Sequence, residues 1–180
     1  ALNQYWHPWL LGGRASGTAQ VGDETWTFEG AQIYGEKNWG RAGFPDSWWW
    51  GQAHGFAEPD ACIAFAGGQV SAGPLHTEVT ALVVALPGGE VMRLGNPVTS
   101  PVHAEVTDEE WVLRGQSRRY AVRLRAHAPL AAAHVLPVPL PRERRNTAGA
   151  IEHLGGHVQV EVRERHGGRR FSNGSRDRHE

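Results

Sequence analysis

Very little sulfur or lysine is spread through these 180 residues, and each scarcity excludes something. Cys62 is the only cysteine, so no intrachain disulfide framework can exist and the redox compartment stays open. Lys37 is the only lysine, which makes the other 17 of the 18 basic residues arginine; a compositional bias explains this first, though it leaves Lys37 conspicuous. No apolar run reaches the roughly 18 residues that a membrane-spanning helix needs. The formal net charge is -1, with basic residues scattered rather than massed, so there is no electrostatic footprint for nucleic acid. No Gly-x-Ser-x-Gly elbow and no phosphate-cradling glycine loop is present. Because the chain begins at Ala1, the lack of a targeting segment says nothing. The expected location is the cytoplasm or the periphery of a membrane.

Helical periodicity is also missing. Short alternating segments take its place, punctuated by glycine, proline and acidic turns. Residues 21–33 set Trp26 and Phe28 against Thr25, Thr27 and Glu29, and predict a half-buried strand with an aromatic core face. Residues 61–66, 80–86 and 90–94 read as strands, the last two joined as a hairpin through Pro87, Gly88 and Gly89. Further strands are expected at 102–106, 111–113, 120–125 and 157–165. In the third of these Tyr120, Val122 and Leu124 face in and Arg119, Arg123 and Arg125 face out; in the last Val158, Val160 and Val162 face in. Residues 128–141, with Pro129, Pro137, Pro139 and Pro141, read as an extended crossing segment rather than a central strand. Arg142, Arg144 and Arg145 form a solvated cluster, with contact to anionic lipid headgroups as the sharper reading. Hairpins in series predict an all-β antiparallel barrel or sandwich with little helix. At this length a single domain over residues 1–180 is expected, burying roughly 70% of its unfolded surface. Residues 1–20 would be an aromatic lead-in and turn plugging the barrel, and 172–180 a poorly ordered tail.

One stretch is neither core strand nor plain loop. Residues 34–54, YGEKNWGRAGFPDSWWWGQAH, hold four of the eight tryptophans beside Phe44, interleaved with charged and amide side chains. Gly35, Gly40, Gly43 and Pro45 require a turn or bulge there. In extended backbone Tyr34, Glu36 and Asn38 share one face while Lys37 and Trp39 take the other; Trp48, Trp50 and Gln52 share a face opposite Trp49 and Ala53. A polar set and an aromatic set could thus line one cavity. The ten histidines suggest no metal centre, because the best local spacing, His153 and His157, spans a double glycine rather than a helix face. Cys62, inside an apolar strand, reads as a core residue rather than a nucleophile.

The block Glu36-Lys37-Asn38-Trp39-Gly40, the Phe44-Pro45 pair and the run Trp48-Trp49-Trp50-Gly51-Gln52 resemble the signature of the tocopherol cyclase family. A weaker likeness extends through residues 6–13, 65–68, 77–86, Trp111 and 154–156. The family joins two lipocalin-like halves in a longer chain, and this sequence is similar to the second half alone. The family's small, apolar closing strand is replaced here by the polar residues 175–180.

The resemblance implies a lipocalin-like barrel and an intramolecular ring closure, in which a phenol oxygen adds across a trisubstituted prenyl double bond by way of a tertiary cation. No redox cofactor and no metal is implied. A carboxylic acid among aromatic rings can keep a proton to donate, a role open to Glu36 or, as fallback, Asp46. The faces of Trp39, Trp48 and Trp50 would stabilise the cation. Tyr34, Asn38, Gln52 and His54 would hold the hydroquinone, and Lys37 or His54 would accept or steer the phenol proton. On a plain architectural reading, Glu36 and Lys37 pin the loop and the tryptophans fill the barrel mouth. The implied partner is an apolar prenyl lipid or quinol, with peripheral membrane contact. A homodimer, or pairing with a second barrel through Trp6 and Trp9, is expected as well. The competing function class is a lipocalin-like carrier of such a lipid without chemistry; a third makes the chain a structural module for a partner barrel. Far-ultraviolet circular dichroism should report helix well below about a fifth of the chain; more would sink the all-β reading.

Overall fold

A computed structural model describes residues 4–40, 44–72, 75–165 and 170–173. The chain is all-β, with antiparallel pairing throughout and a single 3-10 turn at Leu130–Ala132 as its helical content among the described residues.

A long ribbon comes first. Strand β1 (Gln4–Val21) pairs with β2 (Glu24–Gly40). Residues 4–20, expected to be a lead-in and turn, are thus a strand, because proline and double glycine are absorbed as irregularities in a two-stranded ladder instead of ending it. Three register shifts interrupt the ladder, between Pro8 and Leu10, Leu11 and Gly13, and Ala15 and Gly17; the first two add a residue to β1, and the third skips one residue on β1 against two on β2. The expected aromatic core face of residues 21–33 is corrected too: Trp26 is 61% exposed, since the ribbon's far end has no sheet beneath it.

Two larger sheets follow. The first runs in the order β3 (Trp48–Ala53), β4 (Cys62–Ala72), β5 (Leu75–Ala85), β6 (Val91–Leu94). The second has the order β13 (Arg170–Asn173), β12 (His157–Glu164), β9 (Tyr120–His127), β8 (Glu110–Gln116), β7 (Val102–Val106). A second ribbon pairs β10 (His134–Leu140) with β11 (Arg145–Glu152). The proline-rich segment expected to cross the fold therefore builds an outlying hairpin. Pro137 and Pro139 are tolerated because each ribbon strand has only one hydrogen-bonded neighbour. Of the expected tail, residues 172 and 173 fall in β13, and 174–180 lie outside the described residues.

Alternation along the strands decides the core. From the first sheet Trp49, Ile63, Phe65, Leu82, Val84, Met92 and Leu94 point at Leu113, Tyr120, Val122, Leu124 and Val162 of the second. The inward sets expected for residues 120–125 and 157–165 are those observed. Between the sheets the chain passes from β6 to β7 through a turn closed by Gly95 N–H to Ser100 O at 2.7 Å, and the ladder does not continue across it. Both sheets are open, and no closed barrel is found among the described residues. Aromatic rings cross the first sheet over glycines: Trp49 lies opposite Gly67, where a Cβ would come within 2.2 Å of the indole nitrogen.

Leu82 and Leu113 are fully buried on facing sheets, so truncating either to alanine should cost about 2–5 kcal/mol in urea denaturation. Leu154, 79% exposed, should tolerate alanine to within about 0.5 kcal/mol. Equal losses at all three positions would contradict the placement of the core.

Candidate functional site

The side chain of Glu36 is where three strands meet. Strand alternation puts Tyr34 and Glu36 of β2 on one face, and antiparallel pairing sets Trp6 of β1 opposite Asn38, two residues further along. In β3, Trp49 turns into the core while Trp48 and Trp50 point the other way, toward the ribbon. Trp6 Nε1–H, Tyr34 O–H and Trp50 Nε1–H all donate to Glu36 Oε2, each at 2.6 Å. All four side chains are half-buried. Indole nitrogens only donate, so the oxygen they share must accept. Tyr34 and Trp50 also meet ring to ring, tilted, with centroids 6.4 Å apart.

The ribbon has no ladder bonds to the first sheet, so such side-chain bridges hold it there. Gln32 supplies another, donating to Cys62 Sγ at 2.9 Å and accepting from Gly55 N–H at 3.2 Å. Arg14 adds an ion pair with Asp60 and a hydrogen bond to Gly30 O at 3.1 Å. Burial, followed by the nearby Asp60 charge, pushes the Cys62 thiol up, against a smaller pull from Arg14 and Gln32. A thiol held protonated and buried fits the core role expected of it.

The other expected site residues spread out from this cluster. Lys37 is exposed on the opposite face, its ammonium 5.4 Å from the Trp39 ring, and Trp39 stacks on Tyr5 with centroids 5.5 Å apart. Asn38 is exposed near the end of β2. Asp46 is exposed in the bend before β3 and takes no part in the bonds to Glu36. Trp48 stacks on Phe44 at 4.7 Å, and the Gln52 carbonyl lies 3.0 Å from His54 Nδ1. One residue of the cluster was not expected at the site: Trp6, read as part of a plug and, with Trp9, as a docking surface for a second barrel. Its signal was there in the aromatic run at 5–9, but it needed the β1–β2 register to become useful.

The cavity between the sheets, about 280 Å³, is lined by none of Trp39, Trp48 and Trp50. It lies on the core side of the first sheet, whereas the Glu36 cluster lies on the ribbon side. Among the described residues no three His, Cys, Asp or Glu side chains gather as a metal site; His153 Nε2 instead sits 3.2 Å from Asp108 O.

The all-β fold thus holds a half-buried carboxylate ringed by two indoles and a phenol. The family model described as "Tocopherol cyclase-like" matches residues 4–174, and the chain belongs to that family. It is 29% identical over 125 residues to "Probable tocopherol cyclase, chloroplastic" of Oryza sativa subsp. japonica, covering 68% of this chain and 26% of the rice protein. To "Tocopherol cyclase, chloroplastic" of Zea mays it is 36% identical over 66 residues, 36% of this chain and 14% of the maize protein. The match thus spans about a quarter or less of these relatives' length. No solved structure matches the chain.

Tyr34 gives this arrangement a readable signature. Burial raises its phenol furthest, the hydrogen bond to Glu36 and that group's charge raise it again, and the Trp50 and Trp6 donors pull the other way; the net shift is strongly upward. A raised folded-state value means that the stabilisation is complete below the unfolded value, about pH 10, and is lost as pH climbs through and beyond it. Melting temperatures measured between about pH 8 and 11 should therefore fall steeply at the alkaline end, and less steeply for Tyr34→Phe, which should be the less stable protein at neutral pH. Parallel curves for the two proteins would show that Tyr34 does not carry the effect.

Proposed function

We propose that the protein closes a prenylated hydroquinone to a chroman by cofactor-free acid catalysis, with Glu36 as the proton donor. The observation that carries this reading is the convergence of Trp6, Tyr34 and Trp50 on Glu36 Oε2. With Oε2 committed to three donors, Oε1 is the oxygen that takes up a proton from solvent and passes it to the substrate. That proton goes to the less substituted alkene carbon, and the π pair forms the new C–H bond, leaving a tertiary cation. The phenol oxygen then forms the C–O bond and sheds its proton, so the reaction is an isomerisation with no net change in atoms or electrons. Three donors stabilise the carboxylate left behind at the cation stage. The nearby indole and phenol faces stabilise the cation by roughly 0.5–2 kcal/mol each.

In this reading Trp39, Trp48 and Trp50 flank the prenyl chain, and Asn38, Gln52, His54 and Lys37 form the polar rim that meets the hydroquinone hydroxyls and takes the phenol proton. Asp46 is the reserve acid. The substrate is an apolar prenyl lipid reached at a membrane periphery. The two open sheets and their ribbons are one unit of a lipocalin-like assembly, completed by a second copy or a separately encoded barrel docked on the exposed aromatics of the ribbon, Tyr5, Trp9 and Trp39.

The test is turnover of a prenylated hydroquinone, read by chromatographic separation of the chroman, since substrate and product share one mass. Glu36→Gln keeps an acceptor for the three donors but removes the proton, so turnover should drop by about 10² or more with binding near normal. Asp46→Asn should retain activity. Full activity in Glu36→Gln would move the acid elsewhere, and lipid binding without turnover in the unmodified protein would make it a carrier.

A further inference from the structure

The cavity of about 280 Å³ between the sheets lies where the loop before β4, the β5–β6 turn and strands β9 and β12 come together. Phe56, Ile63, Val84, Val160 and Val162 give it apolar walls. Its rim is polar and mostly satisfied: Tyr120 O–H lies 3.0 Å from each oxygen of Glu90, and Arg119 reaches Glu90 at 3.2 Å and Glu164 at 3.3 Å. Glu58 is the exception. It lines the cavity, and its Oε2 is buried with no hydrogen-bond partner. Buried polar atoms in folded proteins are nearly always paired, so an unpaired carboxylate oxygen beside an apolar space calls for a donor from outside the chain.

We propose that this cavity is a ligand site distinct from the Glu36 cluster, and that it takes a single-ring amine whose ammonium group bonds to Glu58 Oε2. The size of the space sets the ring: a cavity of about 150 Å³ lined by apolar side chains holds one benzene, so this one accommodates a substituted single ring but not a ring with a long isoprenoid chain. Charge sets the donor. Three carboxylates, Glu58, Glu90 and Glu164, line the cavity against the one guanidinium of Arg119, which pairs with Glu90 and Glu164; that balance favours a cation over a neutral hydroxyl at Glu58. The site stands independently of the ring-closing reading, because the first sheet separates its core-side walls from Glu36 on the ribbon side.

Calorimetric titration of the full chain with benzylamine, benzyl alcohol and toluene tests this. Benzylamine should bind saturably and at least about tenfold more tightly than toluene, with benzyl alcohol between them. Glu58→Gln should bring benzylamine and toluene to within about twofold of each other while toluene binding persists, a result that loss of folding would not produce. Ala61→Phe, which fills the space from a half-buried wall position, should abolish binding of all three. Glu36→Gln should leave benzylamine binding unchanged, so a failure of the ring-closing reading is separable from a failure here. No saturable binding, an amine preference that survives Glu58→Gln, or binding that survives Ala61→Phe would each overturn the proposal.

Discussion

One carboxylate oxygen of the β1–β2 ribbon gathers three donors, Trp6 and Tyr34 from the ribbon itself and Trp50 from β3, and the third of these ties the ribbon to the first sheet. Nothing in the ladder pattern ties that ribbon to the first sheet, so its position depends on side chains that reach across: Glu36 to Trp50, Gln32 to Cys62, and Arg14 to Asp60. The Glu36 bridge differs from the others in kind. Arg14 and Asp60 are both exposed, where an ion pair contributes little. The Glu36 bonds lie in a half-buried setting among aromatic rings, where a charged acceptor strengthens each of them. Removing Trp6 or Tyr34 would still leave two donors for the oxygen's two lone pairs, whereas removing Trp50 would also remove the bridge to β3.

Strand alternation then sorts the molecule into two chemical compartments. Trp49 goes inward, donates to buried Thr80 at 3.2 Å and packs in the core. Its neighbour Trp50 goes outward to Glu36. One peptide unit thus divides the apolar interior, with its cavity and its unpaired Glu58, from the aromatic cage around Glu36. Such a division gives a single sheet two chemically different faces, each shaped by a different partner, the second sheet on one side and the ribbon on the other.

Membership of the tocopherol cyclase-like family bears on this arrangement in a specific way. The Glu36 block and the Trp-rich strand are separated in sequence only by residues 41–47, and the fold brings β2 and β3 to a common carboxylate. The exposed aromatics of the ribbon, Tyr5 and Trp39 stacked at 5.5 Å and Trp26 near the far end, lie beyond anything this chain covers. The matched relatives are several times longer than the segments aligned to this chain.

Period-two patterning determined the all-β antiparallel class, the inward sets of Tyr120, Val122, Leu124 and Val158, Val160, Val162, and the buried strand at Cys62, since each of these depends only on near neighbours along one strand. It also placed Tyr34 on the face of Glu36 and split Trp49 from Trp48 and Trp50. What it could not determine were relations between strands. Residues 4–20 became a strand because β2 offered a partner, and Trp26 is exposed because no sheet lies beneath it. Trp6 joined Glu36 only through cross-strand register, and the unpaired oxygen of Glu58 appears only once two sheets enclose it. Whether a sheet closes is likewise settled by which edges meet, and that depends on twist, bulges and neighbours rather than on alternation within any one segment.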